Sequence, residues 1–308
     1  MLRAFFVHLS ENRSLRNFAE RSSLGRRVSG RFVAGTEISD AVRVTQAVNG
    51  VGMAVSIDNL GENVTNPDEA RHSAQLYHQI LDAIEANKLN ANISLKLTHM
   101  GLDVDEGLAR ELVGKLVARA SAMNPPGFVR VDMEGSPYTQ RTLDFVQELH
   151  RMPGYGNSVG TVIQAYLKRS ESDVEKLLAE GIRIRLCKGA YKEPASIAFE
   201  SKADVDANFI KLMKMLMKSG IYHGIASHDE HIIREGQAFA TRENISRVAF
   251  EFQMLYGIRR DLQQSLVREG WRMRVYVPFG TEWYPYFMRR LGERPANLFF
   301  IVRNMLRA

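Results

Sequence analysis

Eight short apolar runs, rich in β-branched residues, recur along the chain, and a helical pattern follows each of them. Five of the eight runs end in a polar or charged residue. Strand–helix units repeated eight times predict an α/β fold, the closed (β/α)8 TIM-type barrel. Because the carboxyl-terminal ends of the strands form the active-site face of such a barrel, the polar residues there are candidates for function. The runs are 52–58, 92–98, 128–134, 159–167, 182–188, 223–229, 248–254 and 273–277.

The chain length predicts one barrel with a short extension. A barrel of this type takes roughly 250 residues, and the chain has 308. We expect an N-terminal helical extension over residues 1–30 and a single barrel domain over 31–308, with a final helix over the carboxyl-terminal mouth. Hydrophobic residues make up 45% of the chain and charged residues 25%, which is typical of a globular protein with a buried core.

The charge distribution argues against nucleic acid as a partner. The formal net charge is +6, but the lysines and arginines are dispersed among acids instead of clustering on one face. A single cysteine excludes an intrachain disulfide framework and a multi-cysteine metal site. A reducing cytoplasm is therefore the expected compartment.

The first ten residues of the chain contain an apolar pattern that is relevant to membrane contact. No apolar run approaches the ~18 residues needed to span a bilayer. Leu2, Phe5, Phe6 and Leu9 nevertheless fall on one helical face. That face either packs against the barrel or makes a transient membrane contact. The second interpretation would make the protein peripheral at the inner face of the membrane.

Local signals place several helix boundaries and one turn. Asn66, with the proline and acids that follow it, predicts a helix start, and Ser170 or Ser172 is expected to cap a helix that stops at Gly181. Gly154 and Gly156 precede a predicted strand, and Gly160 lies at the start of it. Because a dinucleotide-binding loop must follow a strand, we interpret these glycines as a turn.

Charged side chains occur inside the predicted strands, where a parallel barrel is normally apolar. A structural ion pair explains one such residue, since an unpaired buried charge is costly. Several charges on three strands, with polar residues at similar positions on other strands, instead predict a polar ligand site at the mouth. The charged residues are Lys96, Asp132, Arg183, Arg185 and Lys188, and the polar ones are Gln164, His228, Glu251 and Tyr276.

The segment TEWYPYFMRRLGERP follows the last predicted strand. As a helix it places Tyr286, Arg289, Arg290 and Glu293 on one face. Adjacent arginines commonly form a solvated face, but beside the barrel mouth two guanidinium groups and a tyrosine are suited to clamp a carboxylate. Glu62, after the first strand, is a candidate partner for one arginine.

The histidines do not predict a metal site. His223, His228 and His231 lie close in sequence, but zinc-dependent barrel hydrolases generally need a His-x-His pair after the first strand. This chain has Asp-Asn-Leu at 58–60 instead. Cys187 lies within a predicted strand, where we expect it to pack beside a cofactor.

Nine motifs occur in order over most of the chain. They are RFVAG at 31–35, DNLGE at 58–62, SLKL at 94–97, VDME at 131–134, IQAYLKR at 163–169, RLCKGAY at 185–191, ASHD at 226–229, FEFQMLYG at 250–257, and VYVPFG at 275–280 with YFMRR at 286–290. Together they resemble the proline dehydrogenase family, flavoenzymes that oxidise L-proline to Δ1-pyrroline-5-carboxylate. Cys187 departs from the family, which usually has valine there, at a position that supplies backbone and bulk.

The resemblance implies roles for individual residues. Lys96, Arg289 and Arg290 would bind the proline carboxylate, and Glu62 would pair with Arg289 as a gate. The pyrrolidine pocket would be formed by Tyr276, Tyr286, Leu255, Tyr191 and Ala190, with support from Asp132. FAD would be held by Gln164, Cys187, Lys188, Gly189 and His228, with Arg185 near the flavin N5 and Glu293 near the cofactor. The catalytic group would comprise Lys96, Arg185, Tyr276, Arg289 and Arg290.

The implied reaction is hydride transfer from L-proline to FAD, the first step of proline catabolism. Electrons would pass to a quinone, and a separate pyrroline-5-carboxylate dehydrogenase would take the product. One alternative is another flavin-dependent barrel oxidoreductase, similar to methylenetetrahydrofolate reductase. A metal-dependent barrel hydrolase and a basic nucleic-acid-binding scaffold are further alternatives.

Overall fold

A computed structural model describes residues 30–286 and 288 of the chain. Eight parallel strands close into a barrel in chain order, with β1 paired to both β2 and β8. The predicted (β/α)8 barrel is therefore confirmed, and each run corresponds to one strand whose ends differ by a few residues. The strands are β1 Ala54–Asn59, β2 Ala91–Leu95, β3 Val129–Val131, β4 Val159–Gln164, β5 Arg183–Cys187, β6 Gly224–Ala226, β7 Glu251–Leu255 and β8 Met273–Phe279.

In the part of the chain that the structure describes, helices surround the barrel, one before β1 and one after each of the first seven strands. They are α1 Ile38–Asn49, α2 Pro67–Ala86, α3 Glu106–Ser121, α4 Ser136–Arg151, α5 Ser170–Ala179, α6 Lys202–Lys218, α7 Glu230–Arg242 and α8 Arg260–Arg268. A short 3-10 turn, Thr98–Met100, follows β2. Residues 283–286 begin a helix after β8, as expected, and Arg289, Arg290 and Glu293 lie outside the described residues.

The charged side chains inside the strands point into the barrel, whose interior is polar. Ile184 and Leu186 of β5 are fully buried in the hydrophobic core. Arg185 lies between them in sequence and projects across the barrel to the hydroxyls of Ser56 and Ser94. Because successive side chains of a strand face opposite sides, alternation between apolar and polar residues produces an apolar outer layer and a hydrogen-bonded interior.

Two of the predicted mouth residues lie at the other end of the barrel. Arg183 is the first residue of β5, and Glu251 is the first residue of β7. The Glu251 carboxylate accepts bonds from Nε of Arg274 (2.6 Å) and from the hydroxyl of Tyr222 (2.9 Å). Their assignment to the mouth is wrong because both residues begin their strands, and the strand amino ends meet at the opposite face.

The local signals have mixed outcomes. The Asn66 side chain accepts a bond from the Glu69 amide and caps α2, as predicted. Neither serine caps α5: Arg169 occupies the N-cap, and the Ser170 hydroxyl instead binds main-chain carbonyls in the preceding turn. Helix α5 ends just before Gly181, and residues 153–158 form the predicted turn, whereas Gly160 lies in β4.

The N-terminal expectations mostly fall outside the described part of the chain. Leu2, Phe5, Phe6 and Leu9 lie there, as does nearly all of the predicted extension over 1–30. Among residues 30–286 and 288, no helix combines the length and apolar character that crossing a bilayer requires.

Candidate active site

A cavity of about 760 Å³ opens at the carboxyl-terminal mouth of the barrel. The loops after the strands and the inward-facing side chains near the strand ends form its walls. Most residues singled out from the sequence contribute to it, namely Glu62, Lys96, Asp132, Gln164, Arg185, Cys187, Lys188, Gly189, Ala190, Tyr191, His228, Leu255, Tyr276 and Tyr286.

Asp132 joins three elements of the cavity wall. It immediately follows β3, and its Oδ1 accepts bonds of 2.7 Å from both the Ser94 hydroxyl and Nη1 of Arg185. Its Oδ2 accepts a bond of 2.9 Å from the hydroxyl of Tyr276 on β8. A carboxylate with both oxygens engaged fixes its partners as well as itself.

Arg185 is held by bonds on every nitrogen of its guanidinium. Besides Asp132, it donates through Nε to Gln253 (2.6 Å), through Nη1 to Ser94 (3.0 Å) and through Nη2 to Ser56 (3.1 Å). The guanidinium carbon lies 5.2 Å from the centre of the Tyr276 ring. This arrangement places a fixed, delocalised positive charge below the cavity.

Lys96 supplies a second positive charge at the cavity wall. It lies one residue beyond β2, and its Nζ is 3.8 Å from Oδ2 of Asp58. Burial alone would lower the pKa of Lys96, but the carboxylates of Asp58, Asp132 and Glu62 raise it above its ordinary value. Lys96 is therefore an ammonium ion throughout the neutral range, suited to bind an anion and unsuited to act as a base.

Asp58 is a residue of the site that sequence reasoning did not single out. It lies in β1, is 1% exposed, and accepts a bond of 3.3 Å from the Tyr77 hydroxyl. Burial raises the pKa of Asp58, whereas the charge of Lys96 opposes the rise. Asp58 could have been found from the sequence, because it is the polar residue at the carboxyl end of the first run.

The opposite wall of the cavity carries a cluster of lysines and aspartates. The Lys188 ammonium donates to Asp206 (2.5 Å) and to Asp229 (2.9 Å), and Lys202 contacts the same two carboxylates. The two lysines hold the pKa of Asp229 at about 2, against the effect of burial.

The loop after β5 packs against the residues that come directly after β4. Gly189 has a φ of +116°, and a Cβ there would lie 2.2 Å from the Tyr166 ring. Only glycine allows this approach. The Gln164 side chain donates to the Glu134 carbonyl (2.9 Å) and accepts from the Ala190 amide (3.4 Å).

His228 and Cys187 complete this side of the cavity. Nε2 of His228 accepts a bond of 2.9 Å from the Leu255 amide. Burial raises the pKa of the Cys187 thiol to about 12, so the thiol stays protonated and is a poor nucleophile. The structure thus places Cys187 as a packing group at the cavity wall.

A second cavity of about 430 Å³ adjoins the first near the loop after β1. Glu62 and Lys96 line both cavities, and His72, His99 and Glu282 contribute to the second. Within the described ranges, no group of three or more histidine, cysteine or acidic side chains is arranged to hold a metal ion.

Comparison with known proteins relates this geometry to one family. A family model described as Proline dehydrogenase matches residues 41–303. Proline dehydrogenase 1 of Bacillus subtilis (strain 168) is 40% identical over 308 residues, covering 100% of each chain. The proline dehydrogenase of Deinococcus radiodurans is 40% identical over 280 residues, covering 90% of this chain and 89% of the relative.

A solved structure shows the same fold. The structure of proline utilization A (PutA) from Bdellovibrio bacteriovorus, inactivated by N-propargylglycine, is 25% identical with a TM-score of 0.80. The match covers 87% of this chain but 32% of that one, so the present chain corresponds to about a third of the larger protein.

Proposed function

This chain belongs to the proline dehydrogenase family, and from that premise we propose that it oxidises L-proline to Δ1-pyrroline-5-carboxylate with FAD as its resident cofactor. The observation that carries the proposal is the ammonium of Lys96, which lines the same cavity as the Tyr276 ring. A cation for the carboxylate and an aromatic wall for the ring carbons are what a small cyclic amino acid requires.

The residues at the cavity fit a flavin dinucleotide. A volume of about 760 Å³ lies within the range of cofactor pockets. Lys188 and Lys202 supply positive charge suited to phosphates, and the Gly189 turn brings main-chain groups to the cavity edge. Gln164 and His228 supply polar groups nearby. When bound, FAD provides an acceptor for a hydride, which no side chain offers.

The contribution of the protein is orientation and electrostatics. Lys96, with Arg289 and Arg290 as proposed partners from the final segment, anchors the substrate carboxylate. Tyr276 is held by Asp132, so its ring forms a fixed wall against the substrate ring. Anchoring at one end and packing along the side restrict the substrate to one orientation, and such restriction accounts for a large share of catalysis in two-reactant steps.

The charges around the cavity also influence proton and electron movement. Arg185 presents a fixed cation near the proposed flavin ring, where it would favour the build-up of negative charge. Lys96 holds its own proton, as its raised pKa indicates, and therefore does not take the proton that the substrate amine must lose. We assign that proton to solvent.

The family resemblance supports further assignments at the level of the pathway. We propose a quinone as the electron acceptor and a separate pyrroline-5-carboxylate dehydrogenase as the next enzyme. A cytoplasmic location with transient contact at the inner face of the membrane would bring the enzyme to a quinone. Glu62 would gate the cavity by pairing with Arg289.

An absorbance spectrum tests the proposal directly. The purified holoenzyme should show a flavin spectrum that bleaches under anaerobic conditions when L-proline is added, and mass spectrometry should detect a product lacking two hydrogens. A flavin spectrum that L-proline leaves unchanged would favour the methylenetetrahydrofolate reductase-like alternative. A protein that binds no flavin would contradict both. Family membership argues against the hydrolase and scaffold alternatives.

A further inference from the structure

Glu134 is a buried carboxylate with no part in the proposed chemistry. It is 4% exposed, follows β3 by three residues, and does not line the main cavity. We propose that Glu134 is a positioning residue, which holds the Lys96 turn and the loop after Glu62 in the arrangement that binds the substrate carboxylate. This inference rests on the proposed function and deepens it.

The first link joins Glu134 to the turn that carries Lys96. Oε1 of Glu134 accepts the Thr98 amide at 3.1 Å, and Oε2 accepts the Thr98 hydroxyl at 2.6 Å. The Lys96 carbonyl belongs to the same turn, since it accepts bonds of 3.2 Å from the amides of His99 and Met100. Glu134 therefore anchors the 3-10 turn immediately after the lysine.

The second link joins the same turn to the loop after Glu62. The Thr98 hydroxyl accepts the Asn63 amide at 3.3 Å, and the Thr98 carbonyl accepts the Val64 amide at 3.3 Å. Thr98 thus donates to Glu134 and accepts from the Glu62 loop through one buried hydroxyl. Lys96 and Glu62, which line both cavities, are positioned by a single threonine that Glu134 fixes.

Glu134 is itself fixed from a third element. Its main-chain carbonyl accepts the Gln164 side chain of β4 at 2.9 Å. A rigid, doubly bonded carboxylate transmits a fixed position to its partner, whereas a loose one would not. The carboxylate receives two bonds from one residue, so removing the Thr98 hydroxyl should release the turn, and removing the charge of Glu134 should weaken the link.

The test compares two variants of Thr98 in the FAD-loaded full chain. Thr98→Val removes the hydroxyl, and Thr98→Ser retains it. We expect Thr98→Val to raise KM for L-proline about tenfold while kcat at saturating proline stays within about twofold. The reason is that the carboxylate of bound proline restores the arrangement of the Lys96 turn that the variant has lost. Glu134→Gln should raise KM by a smaller factor, since an amide can still accept the Thr98 amide.

A binding measurement separates positioning from general damage. Calorimetric titration with tetrahydrofuran-2-carboxylate, the oxygen analogue of proline, should show Kd rising by the same factor as KM. Asp173→Asn is the matched control, because Asp173 is a buried carboxylate on α5 that pairs with Arg169. It should lower the melting temperature and leave KM unchanged.

The outcomes distinguish this inference from the proposed function. Wild-type holoenzyme that fails to react with L-proline would contradict the function itself. If the wild type reacts and Thr98→Val keeps its KM within about twofold, or if Thr98→Ser is as impaired as Thr98→Val, the positioning role of Glu134 is wrong. Should Glu134→Gln not fold, the two Thr98 variants decide alone.

Discussion

The hydroxyl of Tyr276 lies 2.9 Å from Oδ2 of Asp132, so a residue of β8 is bonded across the barrel mouth to the end of β3. The other oxygen of Asp132 binds Arg185 at 2.7 Å. These two bonds connect the aromatic wall of the cavity to the fixed cation beneath it. All three side chains are buried or nearly so. The position of the Tyr276 ring therefore depends on the charge of Asp132.

Asp132→Ala should destabilise the protein and reduce its activity together. Removing the carboxylate leaves the buried Arg185 without its charged partner, and breaking a buried pair costs about 3–5 kcal/mol. We expect the free energy of unfolding to fall by an amount in that range and kcat/KM for L-proline to fall at least tenfold. Urea denaturation and steady-state kinetics measure the two effects. An unchanged unfolding free energy would show that solvent already screens Arg185.

The sequence predicted the barrel well because a parallel barrel has a strong pattern. Each strand is a short β-branched run, and each is followed by an amphipathic helix, so eight repeats leave few alternatives. The ends of the runs were less certain. A run that begins at Val248 predicts Glu251 near the mouth, whereas the strand begins at Glu251 itself.

The candidate site was predictable where a polar residue ends a strand, and less so elsewhere. Asp132 follows its strand, whereas Arg185 and Tyr276 lie inside theirs; polar residues within or at the end of apolar runs, together with the motifs, predict all three. Glu134 and Thr98 end the runs 128–134 and 92–98, but a sequence does not reveal that they bond to each other and to the loop after Glu62. The other three partners of Arg185, Ser56, Ser94 and Gln253, are not predicted because they look like ordinary strand residues until the barrel closes.

Lys188→Ala should reduce the FAD content of the purified protein. The lysine lies between Asp206 and Asp229, so its removal leaves two carboxylates with Lys202 as their one remaining partner in this cluster, and the excess negative charge repels the anionic cofactor. The ratio of flavin to protein absorbance measures occupancy. Lys211→Ala, on the exposed part of α6, is the control and should retain full occupancy. Acid precipitation of the wild type should release intact FAD, and flavin that remained in the pellet would contradict non-covalent binding.

Arg290→Met tests the carboxylate clamp. We expect the variant to fold and retain FAD but to lose at least tenfold in affinity for L-proline, because a charge-assisted bond contributes roughly 1.5–3 kcal/mol. Arg289→Met should behave similarly, and Glu62→Ala should alter the kinetics further if Glu62 and Arg289 form a gate. A KM that Arg290→Met leaves unchanged would exclude the clamp, and normal kinetics for Glu62→Ala would exclude the gate.

His223 should make the protein lose stability in mild acid. Burial, with the charges of Arg130 and Arg183, lowers the pKa of His223 to about 3. Its Nδ1 accepts the Ile184 amide at 3.0 Å, a bond that protonation would abolish. The unfolded state binds the proton below pH 6.5 and the folded state does not, so stability falls as pH drops from 6.5 towards 3.

The size of this effect can be isolated with one variant. Between pH 7.5 and 5 the contribution of His223 is about 2 kcal/mol, from 1.36 kcal/mol for each pKa unit. His223→Asn keeps an acceptor for the Ile184 amide and does not titrate. Urea denaturation at both pH values should therefore show the wild type losing about 2 kcal/mol more than the variant. Equal losses would mean that His223 titrates normally.

Tyr276 should make the enzyme prefer L-proline over trans-4-hydroxy-L-proline. Its own hydroxyl is committed to Asp132, so the ring presents an apolar face to the substrate carbons. A hydroxyl on the substrate ring would collide with that face or remain unpaired against it, at a cost of about 1–3 kcal/mol. Tyr276→Phe keeps the face and should keep the preference, whereas Tyr276→Ser should narrow it, mainly by losing activity on proline. The test is kcat/KM for both substrates in all three proteins. Equal activity of the wild type on both substrates would show that Tyr276 is not the selective wall, and would reopen the assignment of the substrate.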